Sequence, residues 1–198
     1  MPPLNFNVKA HKAHPFMPQP VHQNVLVFWF EEISPKSWWV SEPDFDELVL
    51  NRFGRLLKAA SAGECFAWRE SSAGRLAEII VLDQFSRNIH RGTWRAFAQD
   101  PMALALAQEA VAQGILATLS PVECSFLLMP YMHSESRFVH QQAEVLFRDH
   151  APAESHSFEL RHKTIVDQFG RYPHRNELLG RESTPEELEF LKQPGSKF

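Results

Sequence analysis

Two nonapeptides concentrate the residues most able to do chemistry. Asp83-Gln84-Phe85-Ser86-Arg87-Asn88-Ile89-His90-Arg91 aligns with Asp167-Gln168-Phe169-Gly170-Arg171-Tyr172-Pro173-His174-Arg175, identical at six of nine positions and 84 residues apart. In each, a carboxylate precedes a guanidinium by four residues, the favourable orientation for a pair along one helix. Arg87, Arg91, Arg171 and Arg175 are then expected at helix C-terminal ends, where cations complement the macrodipole. One bidentate arginine satisfies each aspartate, which leaves Arg91, Arg175 and the two imidazoles without an obvious local acid. Seven of the 13 arginines lie in residues 75–95 and 171–181, and arginine in place of lysine favours planar recognition of carboxylate or phosphate. Asn88, Asn176 and Gln84 would add neutral hydrogen bonds. The plainer alternative is that these are structural ion pairs fastening helix ends.

A second group is His133-Ser134-Glu135, placed after Pro130 at an expected helix start. Helix N-terminal amides disfavour imidazolium, so a neutral His133 would accept a proton or bind a metal, while Ser134 and Glu135 suit a cap and its dipole. Glu159-x-x-His162 is half of the motif used by di-iron bundles, and the chain has no second copy. His133, Glu135, His162 and His174 form a weak candidate set for one zinc, manganese or iron ion. The sequence names no cofactor: it has no Gly-rich phosphate loop, no Gly-x-Ser-x-Gly elbow and no His-Glu-x-x-His run. Cys65 and Cys124 stand in apolar stretches and read as packing residues.

The elements that must position these groups read as helices. The stripe Phe45, Leu48, Val49, Phe53, Leu56, Leu57 follows helical spacing between Pro43 and Gly63. Ala73 to Phe85 is apolar around most of its circumference, as befits a central helix, yet it carries Asp83. Asp100-Pro101 reads as an N-cap with proline at the first helical position. Ser120 with Glu123, and Thr184 with Glu187, are capping boxes. Pro130 is expected to interrupt the helix after Ser120, Ser134 to cap the next one, and a further helix to begin near Ser155. His140, His150 and His156 read as helix-surface residues.

Length and composition bound the rest. With 198 residues, 44% of them hydrophobic, the chain can build one full core. Residues 1–20, with five prolines, read as an extended or disordered arm, and 21–198 as one domain. A net charge of −4 gives no sequence-wide reason to expect nucleic acid. No run of about 18 apolar residues predicts a membrane span. Two isolated cysteines fit a reducing, cytoplasmic setting.

The blocks Leu82-Asp83-Gln84-Phe85-x-Arg87-Asn88-x-x-Arg91-Gly92, Pro130-x-x-His133-Ser134-Glu135 and Phe169-Gly170-Arg171-x-Pro173-His174-Arg175-Asn176 resemble, in order, the signature of the bacterial domain-of-unknown-function family 924. So do Val25-Leu26-x-Phe28-Trp29-Phe30 and Leu179-Gly180-Arg181-x-Ser183-Thr184-x-Glu186-Glu187. Ser86 and His90 depart from that pattern, where proline and an aromatic are usual. The resemblance implies a helical fold similar to tetratricopeptide repeats and carries no activity with it.

The expectation is therefore an all-α protein of seven to eight antiparallel helices, tetratricopeptide-repeat-like. Asp83, Gln84, Arg87, Asn88, Arg91, Ser134, Glu135, Asp167, Arg171, Arg175 and Asn176 would line one pocket for a small anionic molecule or acidic peptide. The alternatives are an enzyme, such as a metal-dependent hydrolase, using His133 or His174 with the arginine cluster, and a protein-interaction scaffold in which the motifs are purely structural.

Overall fold

The computed structural model describes residues 22–39 and 41–196; the expected arm at 1–20 lies outside the described residues. Every regular element among the described residues is helical. Helix α1 (His22–Val27) widens into a π turn over Phe28–Glu32, and α2 (Pro43–Ser61) follows with Pro43 in its first turn. Then α3 (Ser72–Ile80) passes through a second π turn, Val81–Phe85, into α4 (Ser86–Ile89). Next come α5 (Asp100–Ala112), α6 (Pro121–Met132), α7 (Arg137–His150), α8 (Ala153–Phe169) and the short α9 (Pro185–Phe190). Short 3₁₀ turns at Trp94–Phe97 and Pro173–Arg175 join some of them.

Burial follows the apolar patterns. Helix α3 and its π turn are buried continuously from Leu76 to Phe85, and α6 from Cys124 to Met132. Around them Phe28, Trp29, Phe53, Phe85 and Phe126 interlock in tilted and edge-to-face contacts, with Phe53 and Phe85 centroids 4.7 Å apart. Helix α7 packs between α6 and α8, and a smaller cluster of Ile165, Val166 and Tyr172 sits under Phe169 and Phe190. Both cysteines are buried and free; burial pushes the Cys65 thiol up to about 11, which fits packing. Among the described residues no helix is long and apolar enough to cross a membrane.

Both capping boxes form as expected, at Ser120–Glu123 and Thr184–Glu187. Three local expectations are corrected. Pro130 lies inside α6 without ending it. Ser136, not Ser134, caps α7 by accepting from the Val139 amide; Ser134 Oγ instead accepts from the Ser136 amide, tightening the turn before it. Asp100 makes no cap, because it is already the first residue of α5 and its carboxylate faces two arginines.

Candidate functional site

The site is built around Asp83, which the π turn of the central helix carries into the interior. A π turn rotates successive side chains less than an α turn does, so it interrupts the α-helical register where helices often serve a site. Here it leaves Asp83 and Gln84 buried together. Asp83 is 0% exposed. It accepts from Gln84 Nε2 at 2.5 Å and from His133 Nδ1 at 2.8 Å, and its Oδ1 lies 3.1 Å from Arg87. Burial acts to raise its pKa, but Arg87 and His133 together hold it well below the usual carboxylate range.

An ionised Asp83 can only accept, so His133 Nδ1 carries the hydrogen. Burial and Arg87 hold the imidazole below its ordinary pKa against the pull of Asp83. The neutral ring therefore keeps its lone pair on Nε2, and among the described residues no hydrogen bond to the protein occupies that atom. The His133 side chain is 13% exposed. His133 ends α6 and does not open α7, so the expected influence of N-terminal amides is absent; burial and Arg87 keep it neutral.

Arg87 bridges outward. Its two terminal nitrogens bond both oxygens of Asp100 at 2.9 and 3.0 Å, the planar fork that arginine favours. Arg175 reaches the same Asp100 at 3.3 Å and lies between the faces of Phe97 and Tyr172, 4.6 Å from each centroid. Two guanidiniums thus share one carboxylate. Arg175 is 5% exposed and its Nε has no hydrogen-bond partner among the described residues; burial, then Arg87, lowers its pKa.

Tyr172 organises the histidines behind this cluster. His140, His162 and His174 lie 6.3, 5.8 and 5.7 Å from its ring centroid, and its hydroxyl donates to the Met132 carbonyl at 2.5 Å. Burial lowers both His162 and His174 to about 3, so each is neutral near pH 7. His140 is 0% exposed, which corrects its surface assignment. Its Nε2 donates to the Ser134 carbonyl at 2.9 Å, and its Nδ1 meets Glu159 at 2.7 Å, with one proton serving that pair. Ser134 therefore serves this region through its backbone.

The remaining sequence candidates disperse. Arg91, expected to lack an acid, grips Asp46 at 2.5 and 2.8 Å, and Asn88 donates to the same carboxylate. Arg171 holds Glu187 at 2.6 and 2.7 Å, and Asn176 donates to Glu187 and Ser183. Glu135 takes Arg181 on both oxygens and the Tyr172 amide on one. Asp167 is exposed and pairs with Lys163 at 2.6 Å, not with Arg171. Hence the four arginines do not share one pocket: only Arg87 and Arg175 meet at a common acid.

The weak metal set is corrected as well. Among the described residues no three His, Cys, Asp or Glu side chains are placed to hold a metal ion. Arg181 occupies Glu135, Asp83 takes His133 Nδ1, and the Phe158 carbonyl takes His162 Nδ1.

Sequence reasoning missed Asp100, Tyr172, His140 and Arg181. Asp-Pro hid Asp100 as a cap. His140 did leave a signal, since it falls in step with buried Ala143 and Phe147 on one face of α7.

The fold and this cluster can be set beside known proteins. No curated protein matches the chain. The solved structure of the protein of unknown function ATU0120 from Agrobacterium tumefaciens is 34% identical, covers 86% of this chain and 96% of its own, and superposes with a TM-score of 0.82. Asp83, Arg87, Asp100, His133, Tyr172 and Arg175 all fall within residues 25–195, the stretch that matches the family described as bacterial protein of unknown function (DUF924), and the chain belongs to that family.

Proposed function

We propose that the Arg87–Asp100–Arg175 cluster, with His133 at its edge, binds a small anionic ligand such as a phosphate or a carboxylate, including the acidic group of a peptide. The observation that carries this reading is the sharing of one carboxylate by two guanidiniums. An arginine Nε buried without an acceptor costs about 1–3 kcal/mol, which an anion would relieve. The other arginines of the repeat are occupied by their own acids and serve as fasteners. The successive packing of α6, α7 and α8 supports a tetratricopeptide-repeat-like arrangement, and the free buried thiols suit a cytoplasmic setting.

A second reading has its own support. Asp83 fixes the His133 tautomer and leaves Nε2 as a proton acceptor, the arrangement of a general base oriented by a carboxylate. In that case the bound anion is also a substrate, and His133 is the residue that takes its proton. His174, which burial lowers to about 3, is a weak base near pH 7.

Calorimetric titration of the full chain with inorganic phosphate, acetate and a short acidic peptide tests the binding. Saturable heat with at least one is expected, lost in Arg175→Lys and weakened in His133→Gln, and kept in Arg171→Lys. Thermal melts of each variant check the fold. The absence of saturable heat with all three probes, or heat indifferent to Arg175→Lys, overturns the reading and leaves the motifs as fasteners of an interaction scaffold.

A further inference from the structure

A separate groove of about 460 Å³ runs between α2 and the segment that follows the π turn. Three elements supply its walls, each with residues that share a face. Helix α2 gives Leu50, Gly54, Leu57 and Lys58, spaced as one helical stripe; α4 and its end give Ser86, Ile89 and His90; the 3₁₀ turn gives Trp94 and Arg95. The size is that of small-molecule sites, which are apolar with a few fixed polar groups.

Three features set this groove apart from an ordinary surface crease. Its titratable lining is basic: Lys58, His90 and Arg95 line it, and no aspartate or glutamate among the described residues does, in a chain of net charge −4. Ser86 is also among its lining residues, only 1% exposed, and its buried hydroxyl has no hydrogen-bond partner among the described residues. Gly54 lies in the interior of a 19-residue helix, where glycine costs about 1 kcal/mol relative to alanine. Helix packing does not require it: a Cβ there would meet only the Leu50 side chain, at 3.1 Å, and no neighbouring element. At Gly54 the groove wall therefore carries no side chain.

We propose that this groove binds a small monocarboxylate with an apolar body, the carboxylate meeting the basic rim and the Ser86 hydroxyl, the body lying along Leu50, Leu57 and Trp94. Charge complementarity selects an anion, and the apolar walls select one that carries a hydrophobic tail over a bare inorganic ion. The proposal is independent of the Arg87–Arg175 cluster, with which the groove shares no lining residue.

Calorimetric titration of the full chain with octanoate, 1-octanol and inorganic phosphate tests it. Octanoate is expected to bind saturably, one per chain, and more tightly than octanol, with phosphate failing to compete. Lys58→Gln with Arg95→Gln weakens octanoate by about tenfold while leaving octanol unchanged. Gly54→Leu blocks both without lowering the melting temperature. Ser86→Ala weakens octanoate while leaving the fold intact, because its hydroxyl gives up no protein partner. His133→Gln and Arg175→Lys leave octanoate binding as it was, which separates this site from the other cluster. No saturable octanoate binding, equal affinity for octanol, or indifference to both the Gly54 and the Lys58–Arg95 changes overturns the proposal; if Gly54→Leu does not fold, the charge variant decides alone.

Discussion

The two copies of the nonapeptide carry the same six residues into opposite environments. Asp83 is fully buried and joins Gln84, Arg87 and His133, whereas Asp167 is exposed and, among the described residues, pairs with Lys163 alone. The divergence begins at their fourth position. Ser86 continues the helix to Ile89, so Arg87 stays one turn from Asp83 and pairs with it. Gly170 takes φ 72°, a left-handed conformation that closes α8, and the chain leaves the helical path before Arg171. Arg171 therefore finds Glu187, and the second copy contributes its last residues, His174 and Arg175, to the cluster that the first copy begins. A duplicated motif has become two halves of one assembly.

Removal of each aspartate breaks that comparison most sharply. Asp83→Ala leaves the half-buried Arg87 without one of its two acids and His133 without its acceptor, and should cost about 3 kcal/mol in urea unfolding. Asp167→Ala removes an exposed pair and should stay within about 0.5 kcal/mol. Equal costs would show that the copies are equivalent after all.

The histidines of the two copies should separate under acid. Folded His174 stays neutral down to about 3, whereas its unfolded counterpart gains a proton near 6.5. The unfolded state binds more protons through that window, so this contribution is complete above pH 6.5 and is lost as pH falls toward 3. The part lost by pH 5 is about 2 kcal/mol. Melting temperature should therefore fall from pH 7 to 5 in the parent chain. His174→Gln should flatten that slope, while His90→Gln, in a half-exposed position lowered by burial and Arg95, should change it far less.

The smallest effect probes the point of divergence. Gly170→Ala places a side chain in a left-handed position and should cost about 1 kcal/mol. A neutral result in thermal melts would mean that φ at residue 170 is not what turns the second copy out of register.

Several features were legible residue by residue. Both capping boxes were visible because a Ser or Thr three residues before a Glu is a local pattern with a local cause. Asp83 stood out as a charge inside an apolar circumference, and its partner Arg87 followed from spacing. Asp100 and Arg91 did not yield to the same reasoning. The acid that Arg91 was expected to lack is Asp46, 45 residues away, and the carboxylate that joins Arg87 to Arg175 is Asp100, 75 residues from the latter. Pro130 also misled, since a buried helix held by neighbours on all sides tolerates a missing backbone hydrogen bond that an isolated one would not.

By itself the sequence determined the all-α class, the apolar faces, the capping boxes and the residue types of the polar motifs, because each depends on contacts within a few residues. Only the tertiary structure decided which arginine met which acid, which copy of the repeat became buried, and which histidines gathered around Tyr172. Those outcomes rest on the solvation of charge: a carboxylate such as Asp83 can enter the core only where donors from other helices meet it, and their arrival is a property of packing.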